Sequence, residues 1–465
     1  MAELTFLGAT GEVTGSRYLL TTDQHRVLMD CGLRQGDRQA NEFNRRSLKA
    51  LARDLDAVVL SHAHLDHCGL LPKLVADGYR GDIFCTEGTA ELLPIMLRDS
   101  ANLMLRDLAQ ENKWRQRRDE AALPAPYDME DVEQTLGQLK PIRYGEDMAI
   151  TGDMRVKFHD AGHILGSAIV ELFIQDAGRQ RHLVFSGDLG NRDVALMHDP
   201  ARLEHADVVL LESTYGDREH RPLADTLEEF AEILARADRE GGNVFIPAFA
   251  VGRTQELLYH LGAFHQQGLL PQHKVFVDSP MGIAVTQLYA RRHDLLKKAD
   301  VEAAHAPGNG ELMAYLPQLE FTESVQASMG INRVKSGAIV IAGSGMCTGG
   351  RITHHFKWNL WRRQAHVVIV GFQARGTLGR RLVDGADSVK IFGQEIAVRA
   401  QIHTLGGFSA HAGQSELLSW AQGFTSKPVF HLVHGEDKAR DALAAALQDR
   451  GIDARIPAYE DTVVI

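Results

Sequence analysis

Apolar positions along this chain fall mostly into short runs with glycines or polar residues between them. Asp56-Ala57-Val58-Val59-Leu60 is one such run, too short for a helix, and reads as a buried strand. The segment from Gly69 to Gly78 then spaces Leu70, Leu71, Leu74 and Val75 as one face of a helix does. Upstream, residues 4–32 read as three strands, Leu4–Thr10, Ser16–Thr22 and Arg26–Gly32, with glycines 8, 11 and 15 marking tight turns. Residues 88–140 read as mostly helical, and the charged piece at 111–120 reads as a solvated helix face rather than a contact for phosphates. Strands resume at 154–160, 167–174, 182–187 and 206–211. After about residue 217 the pattern changes. Helical stretches (Leu223–Arg239, Gly252–Gly262, Met281–Arg292) alternate with strand-like ones (Asn243–Ala248, Lys274–Asp278, Ala338–Ala342, His366–Val370). That alternation predicts a second, mostly parallel α/β domain. Residues 301–322, with two prolines and little periodicity, read as a loop or bridge.

At 465 residues the chain has room for two or three domains. The net charge of −11 argues against loose adhesion to nucleic acid but says nothing about a local, metal-centred site. Cys31, Cys68, Cys85 and Cys347 lie far apart with no CxxC pair, so no disulfide framework and a reducing, cytoplasmic setting are expected. Met1-Ala2-Glu3-Leu4 has neither the basic nor the apolar region of a signal peptide. No apolar run approaches the ~18 residues that a membrane span needs, so no membrane partner is expected.

Chemistry concentrates in Ser61-His62-Ala63-His64-Leu65-Asp66-His67, between the short strand and the helix, where α/β proteins place ligands. Imidazoles with carboxylates suit zinc, and manganese or iron less well. His62 and His64, two apart, can grip one ion, while Asp66 and His67 project towards a second. Similar strand-end positions recur downstream: His163 in Ala161-Gly162-His163, Asp188 in Ser186-Gly187-Asp188, and Glu212 in Glu212-Ser213-Thr214. Together they offer what the first cluster lacks, a third imidazole and a carboxylate able to bridge two ions. Asp30, at a strand end before Gly32, fits an acceptor that orients a metal-binding imidazole. Late in the chain, two more histidines matter: His411, in Gly407-Phe408-Ser409-Ala410-His411, and His434, at the end of a buried strand before Gly435. His431 points to the opposite strand face from a ligand position, and His403, inside a strand-like run, reads as a core histidine.

In the second domain, Gly343-Ser344-Gly345-Met346-Cys347-Thr348-Gly349-Gly350-Arg351 exposes backbone N–H groups before a helix and could hold phosphate. Ser344, Gly345 and Thr348 are the candidate contacts there, with Arg375 in a second glycine-and-arginine loop at 372–381. Arg351, Lys357, Arg362 and Arg363 interleave with Trp358 and Trp361. That composition suits single-stranded nucleic acid, and equally suits an amphipathic helix with its indoles packed inside.

The set Asp30, His62-x-His64-x-Asp66-His67, His163 and Asp188 resembles the metallo-β-lactamase superfamily. Glu212, His411 and His434 resemble its β-CASP branch of nucleic-acid-processing nucleases, among them the catalytic subunit of eukaryotic pre-mRNA 3′-end cleavage and its bacterial single-chain relatives. The resemblance implies an αββα sandwich in two parts, 1–216 and 401–465, with an inserted, mostly parallel α/β cap over 217–400. It implies two Zn2+ ions, with Mn2+ as a substitute. His62, His64 and His163 would bind one, and Asp66, His67 and His434 the other. Asp188 would bridge them, and His411, held by Glu212, would protonate the leaving oxygen. The implied activity is hydrolysis of single-stranded RNA, endo- or exonucleolytic, by a chain that a homodimer would also suit. A DNA-directed β-CASP nuclease and a non-catalytic RNA-binding scaffold are the alternatives. The chain shows no KH-type extension and ends about thirty residues after His434, which argues against RNase J-like 5′-exonuclease behaviour.

Overall fold

A computed structural model describes residues 1–36, 38–176, 178–305, 315–373 and 376–465. The chain divides into two units. One comprises residues 1–192, 198–219 and 411–465, and the other residues 193–197 and 220–410.

The first unit has two seven-stranded sheets. One runs Thr462–Val464, Glu3–Phe6, Tyr18–Thr21, Arg26–Met29, Ala57–Val59, Asp82–Thr86 and Leu139–Ile142. It is antiparallel as far as Arg26–Met29 and parallel from there. The other runs Ala454–Arg455, Val429–Val433, Val208–Glu212, Arg179–Phe185, Ala168–Asp176, Met154–Asp160 and Asp147–Ala149. Its parallel strands are the ones that read as unbroken apolar runs, because both their faces are covered: Val208–Glu212 is buried throughout. Met154–Asp160, antiparallel and nearer the edge, alternates buried positions with the more accessible Arg155 and Lys157 along Met154–Phe158. Phe6, Val27 and Val59 from the first sheet meet Phe158, Val170, Leu210 and Val433 from the second in the inter-sheet core. Helices Gln414–Ala421 and Asp437–Gln448 cover the outer face of the second sheet. Leu71–Ala76, Glu87–Gln116 and Met129–Gly137 pack beside the first. The result is the helix–sheet–sheet–helix sandwich that the motif resemblance implies.

The second unit carries a six-stranded, wholly parallel sheet in the order Leu319–Phe321, Lys274–Val277, Ala338–Ala342, Val244–Pro247, His366–Ile369, Gln401–Thr404. Apolar helix faces bury against both of its sides. A two-stranded hairpin, Ser388–Ile391 with Gln394–Ala397, is attached. Gln401–Thr404 pairs with His366–Ile369, so residues 401–410 belong to this unit rather than to the sandwich. Both described ends of the 301–322 stretch form regular elements that its composition does not predict. Lys298–His305 is a helix and Leu319–Phe321 an edge strand, too short at three residues for alternation to reveal it. Residues 306–314 lie outside the described residues. No helix among the described residues is long and apolar enough to cross a membrane.

Candidate metal centre

Each candidate residue of the first unit sits at or just beyond the C-terminal end of a strand, or in a loop entering a helix, so one end of the sandwich collects them. Arg26–Met29 delivers Asp30, and Ala57–Val59 leads to His62, His64 and the short helix Leu65–Cys68 that carries Asp66 and His67. The loop after Met154–Asp160 holds His163, and that after Arg179–Phe185 holds Asp188. Glu212 ends its own strand, His434 follows Val429–Val433, and His411 precedes helix Gln414–Ala421. Two glycines are required by this convergence. Gly187 has φ +55°, and a Cβ there would lie 2.7 Å from the Ala168 carbonyl oxygen. At Gly162, φ +71°, a Cβ would lie 2.4 Å from the carbonyl oxygen of His198. Asp30 and His434 hold left-handed φ values of 57° and 49° without being glycine, a cost that residues bear where side-chain direction matters.

Seven donors form two sets. In the first, His64 Nδ1 lies 3.2 Å from His62 Nε2 and 3.1 Å from His163 Nε2, and Asp188 Oδ2 lies 3.4 Å and 3.6 Å from those two Nε2 atoms. In the second, His67 Nε2 lies 3.3 Å from His434 Nε2, which lies 3.6 Å from Asp66 Oδ2. Asp188 Oδ1 faces this second set, 3.3 Å from His67 Nε2 and 3.5 Å from His434 Nδ1. A tetrahedral zinc with arms of about 2.0–2.1 Å separates neighbouring donors by about 3.3 Å, so the spacing fits that ion. Protons fit it less well. A single hydrogen between ring nitrogens can satisfy one pair, whereas His64 Nδ1 faces two, and Asp188 Oδ1 is buried with no well-aligned donor.

The charge distribution agrees. Burial, and then His67, hold His62 well below its ordinary value, so it is a neutral imidazole with a lone pair to give. Burial likewise lowers His64. His67 is raised well above its ordinary value, because the charges of Asp188 and Asp30 overcome its burial. Asp66, against the opposing pull of burial, is held at about 2 by its hydrogen bond to His434 and by neighbouring imidazoles. These carboxylates demand positive charge, and they draw a proton onto His67 where a cation would otherwise meet the demand.

Supporting groups fix the rings. Asp30, wholly buried, accepts from the Ser61 amide (2.8 Å) and hydroxyl (2.7 Å), and its Oδ2 lies 2.6 Å from His67 Nδ1, which turns Nε2 towards the centre. Ser61 Oγ is also 3.0 Å from His62 Nδ1. Thr214 Oγ1 lies 3.1 Å from His434 Nδ1. Beside both sets stands His411, its ring centroid 4.5 Å from that of His163 and 6.1 Å from that of His434. Its Nδ1 is 3.2 Å from Glu212 Oε1, which also accepts from the Leu189 amide at 2.7 Å. Burial pulls His411 down, but the charge and hydrogen bond of Glu212, then Asp188 and Asp66, lift it to about 9.

Three family models match the chain: the beta-lactamase superfamily domain over residues 25–242, the Beta-Casp domain over 254–382, and the Zn-dependent metallo-hydrolase RNA specificity domain over 395–457. Ribonuclease TTHA0252 of Thermus thermophilus is 41% identical over 458 residues, 98% of this chain and 99% of that protein. The chain belongs to the β-CASP family of the metallo-β-lactamase superfamily. The transcription termination factor FttA of Methanothermobacter thermautotrophicus is 30% identical over 478 residues, covering 100% of this chain and 72% of that protein. A crystal structure of a protein of unknown function from Enterococcus faecalis V583 has the same fold, with TM-score 0.54 at 13% identity over the whole of both chains. The chain is therefore a hydrolase of a β-CASP metallo-β-lactamase type.

The remaining candidates lie in the Beta-Casp unit. Thr348 donates its amide to Ser344 Oγ (3.0 Å), the two hydroxyls are 3.2 Å apart, and the Ser344 amide donates to the Gly349 carbonyl (3.2 Å). Gly345 packs so closely on Phe249 that a Cβ would stand 2.8 Å from its ring. Arg375 lies outside the described residues. Arg351 is tied to the buried Asp278 (2.7 Å) and to the carbonyls of Thr322 and Glu323, so it braces the unit rather than facing a ligand. His403 stacks on His366, with Nε2 3.0 Å from its Nδ1, and His431 packs on Phe6 in the core of the sandwich. Ser61 and Thr214, which orient ligand rings, were not singled out by sequence. Ser61 immediately precedes His62 and Thr214 lies two residues after Glu212, and that proximity is the signal that could have found them.

Proposed function

We propose that the chain is a zinc-dependent ribonuclease that hydrolyses phosphodiester bonds of single-stranded RNA, with two ions held in the two donor sets. The observation that carries this reading is Asp188, which turns one oxygen towards each set. The family's RNA-specificity model and a relative named a ribonuclease support RNA as the substrate.

His62, His64 and His163 would hold one ion, Asp66, His67 and His434 the other, and Asp188 both. When bound, such ions supply Lewis acidity towards a phosphoryl group and lower the pKa of water. The chain's own residues do the rest. Asp30 and Ser61 keep His67 and His62 in the tautomer whose Nε2 faces inward. Water attacks phosphorus and the bond to the departing ribose oxygen breaks. His411, its Nδ1 held by Glu212, presents Nε2 to that oxygen and gives it a proton, which the attacking water restores to the site. Glu212 keeps the imidazole oriented and charged for this step.

Matched single-stranded RNA and DNA oligonucleotides, labelled at either end and followed in time, test the reading. Zinc-loaded protein is expected to cut the RNA faster than the DNA, to stop on chelation and to resume when zinc is returned. Faster cleavage of DNA would install the DNA-directed alternative, and cleavage that survives chelation would refute the metal centre. A subtler expectation concerns Asp30. Asp30→Ala should weaken zinc binding about 10–100-fold, the usual worth of a carboxylate that orients a ligating imidazole. Competition against a chromophoric chelator reads this, and parent affinity in the variant would show that Asp30 does not act through His67.

A further inference from the structure

The helix Gly350–Asn359 buries Ile352, Thr353, His355, Phe356 and Asn359 and turns His354 and Trp358 outward. Trp361 follows one residue past the helix cap, so His354, Trp358 and Trp361 recur at the i, i+4, i+7 spacing of a single face. Trp358 is 55% exposed and Trp361 50%, although indoles are usually largely buried. Phe392, at the tip of the hairpin and 57% exposed, extends the row by packing on His354 at a centroid distance of 4.5 Å. Cations lie over the indoles: Lys357 Nζ is 5.8 Å from the Trp358 centroid, and Arg362 Cζ is 5.3 Å from that of Trp361. Among the described residues, Lys357, Arg362 and Arg363 have no carboxylate partner, whereas Arg351 is tied to Asp278 and Arg380 to Asp384.

Charge along the chain is segregated in the same place. Residues 324–383 hold nine lysines and arginines and no aspartate or glutamate, in a protein of net charge −11.

We propose that this row is a stacking platform for single-stranded RNA, built entirely within the Beta-Casp unit and separate from the residues that would hold metal. Rings with both exposed faces and interleaved cations bind bases and phosphates without regard to sequence, since every base has a π-face. A second copy of the chain is the poorer occupant. A two-fold contact would set Lys357, Arg362 and Arg363, which lack carboxylate partners among the described residues, against their own copies, whereas a polyanion complements them. The proposal rests on the reading of the chain as RNA-directed, but its test is a binding measurement that needs no cleavage.

The test uses full-length, zinc-loaded protein carrying His411→Ala, which should keep both ions while slowing cleavage about 10²–10⁴-fold, so that the strand is not cut during the titration. An oligouridylate of about thirty nucleotides spans several of the ~4–16-nucleotide sites that such grooves cover. Binding is expected to quench the fluorescence of Trp358 and Trp361, and Trp358→Ala with Trp361→Ala to weaken it about 10–100-fold. Phenylalanine at both positions should restore most of the affinity, which a purely structural role for indole would not allow. Lys357→Gln, Arg362→Gln and Arg363→Gln together should lower the slope of log K against log salt by about 2, as expected for three phosphate contacts to a single strand. Parent affinity and quenching in a double-alanine variant that melts like the parent would overturn the platform. So would a parent dimer that becomes monomeric in that variant with RNA affinity unchanged, which would assign the face to contact between copies. Tight, tryptophan-dependent binding by a parent that never cleaves RNA would sustain the platform while removing the catalytic reading.

Discussion

Asp188→Ala should lose at least one of two bound zinc ions and with it RNA cleavage. The expected loss exceeds the ~10–100-fold that removal of a supporting hydrogen-bond partner causes, because Asp188 would be a direct donor to both ions. The structure gives three reasons. Its two oxygens face different donor sets, at 3.4 Å from His62 Nε2 and 3.3 Å from His67 Nε2. Oδ1 is buried without a well-aligned donor, an arrangement costly to maintain for anything but a cation. Neighbouring imidazoles, His434 first among them, hold the carboxylate well below its ordinary range despite burial that pushes the other way. Asp188→Asn separates charge from shape, since it keeps the side-chain outline and one oxygen but cannot bridge two cations as an anion. Metal content by mass spectrometry, taken beside the cleavage rate, reads both variants. Two ions retained per chain in Asp188→Ala would remove the bridge from the mechanism.

The candidate donor positions were legible because strands terminate where apolar runs stop, and a polar residue flanked by glycine at such a stop has few structural duties. His163, Asp188 and His434 announce themselves in this way, His62, His64, Asp66 and His67 do so by clustering after a short strand, and the structure brings all seven together. The direction of each ring was not legible. It depends on hydroxyls such as Ser61 and Thr214, and short polar residues in loops are too common to stand out. Orientation also misled in the second unit. The basic run after the glycine-rich loop was open to nucleic-acid contact or to helix packing, and at Arg351 the guanidinium answers the buried Asp278, a pairing more than seventy residues distant that no local pattern encodes. For Trp358 and Trp361 the periodicity left two outcomes open, and tertiary packing chose exposure because Ile352 and Phe356 already fill the buried face. Short edge strands such as Leu319–Phe321 escaped because three residues cannot display alternation.

His411→Ala should keep both zinc ions and lose about 10²–10⁴ in rate, the usual worth of a positioned general acid. The imidazole packs within 4.5 Å, centroid to centroid, of the His163 ring, yet its Nδ1 is committed to Glu212 rather than to either donor set. It can therefore carry a proton without being a ligand. That distinction is what the variant tests, because a ligand role would lower metal content as well as rate. A leaving-group experiment sharpens the point. Placing sulfur where the departing ribose oxygen stands gives a thiolate, whose parent thiol has a pKa of ~8.5 and needs no proton in order to leave. The parent protein and His411→Ala should then cleave at similar rates, so the defect seen with ordinary RNA should disappear. Glu212→Gln ought to fall between parent and His411→Ala, since it keeps a hydrogen-bond acceptor for Nδ1 but withdraws the charge that holds the ring protonated. A His411→Ala defect of equal size on oxygen- and sulfur-linked substrates would mean that the ring positions the phosphodiester and donates no proton.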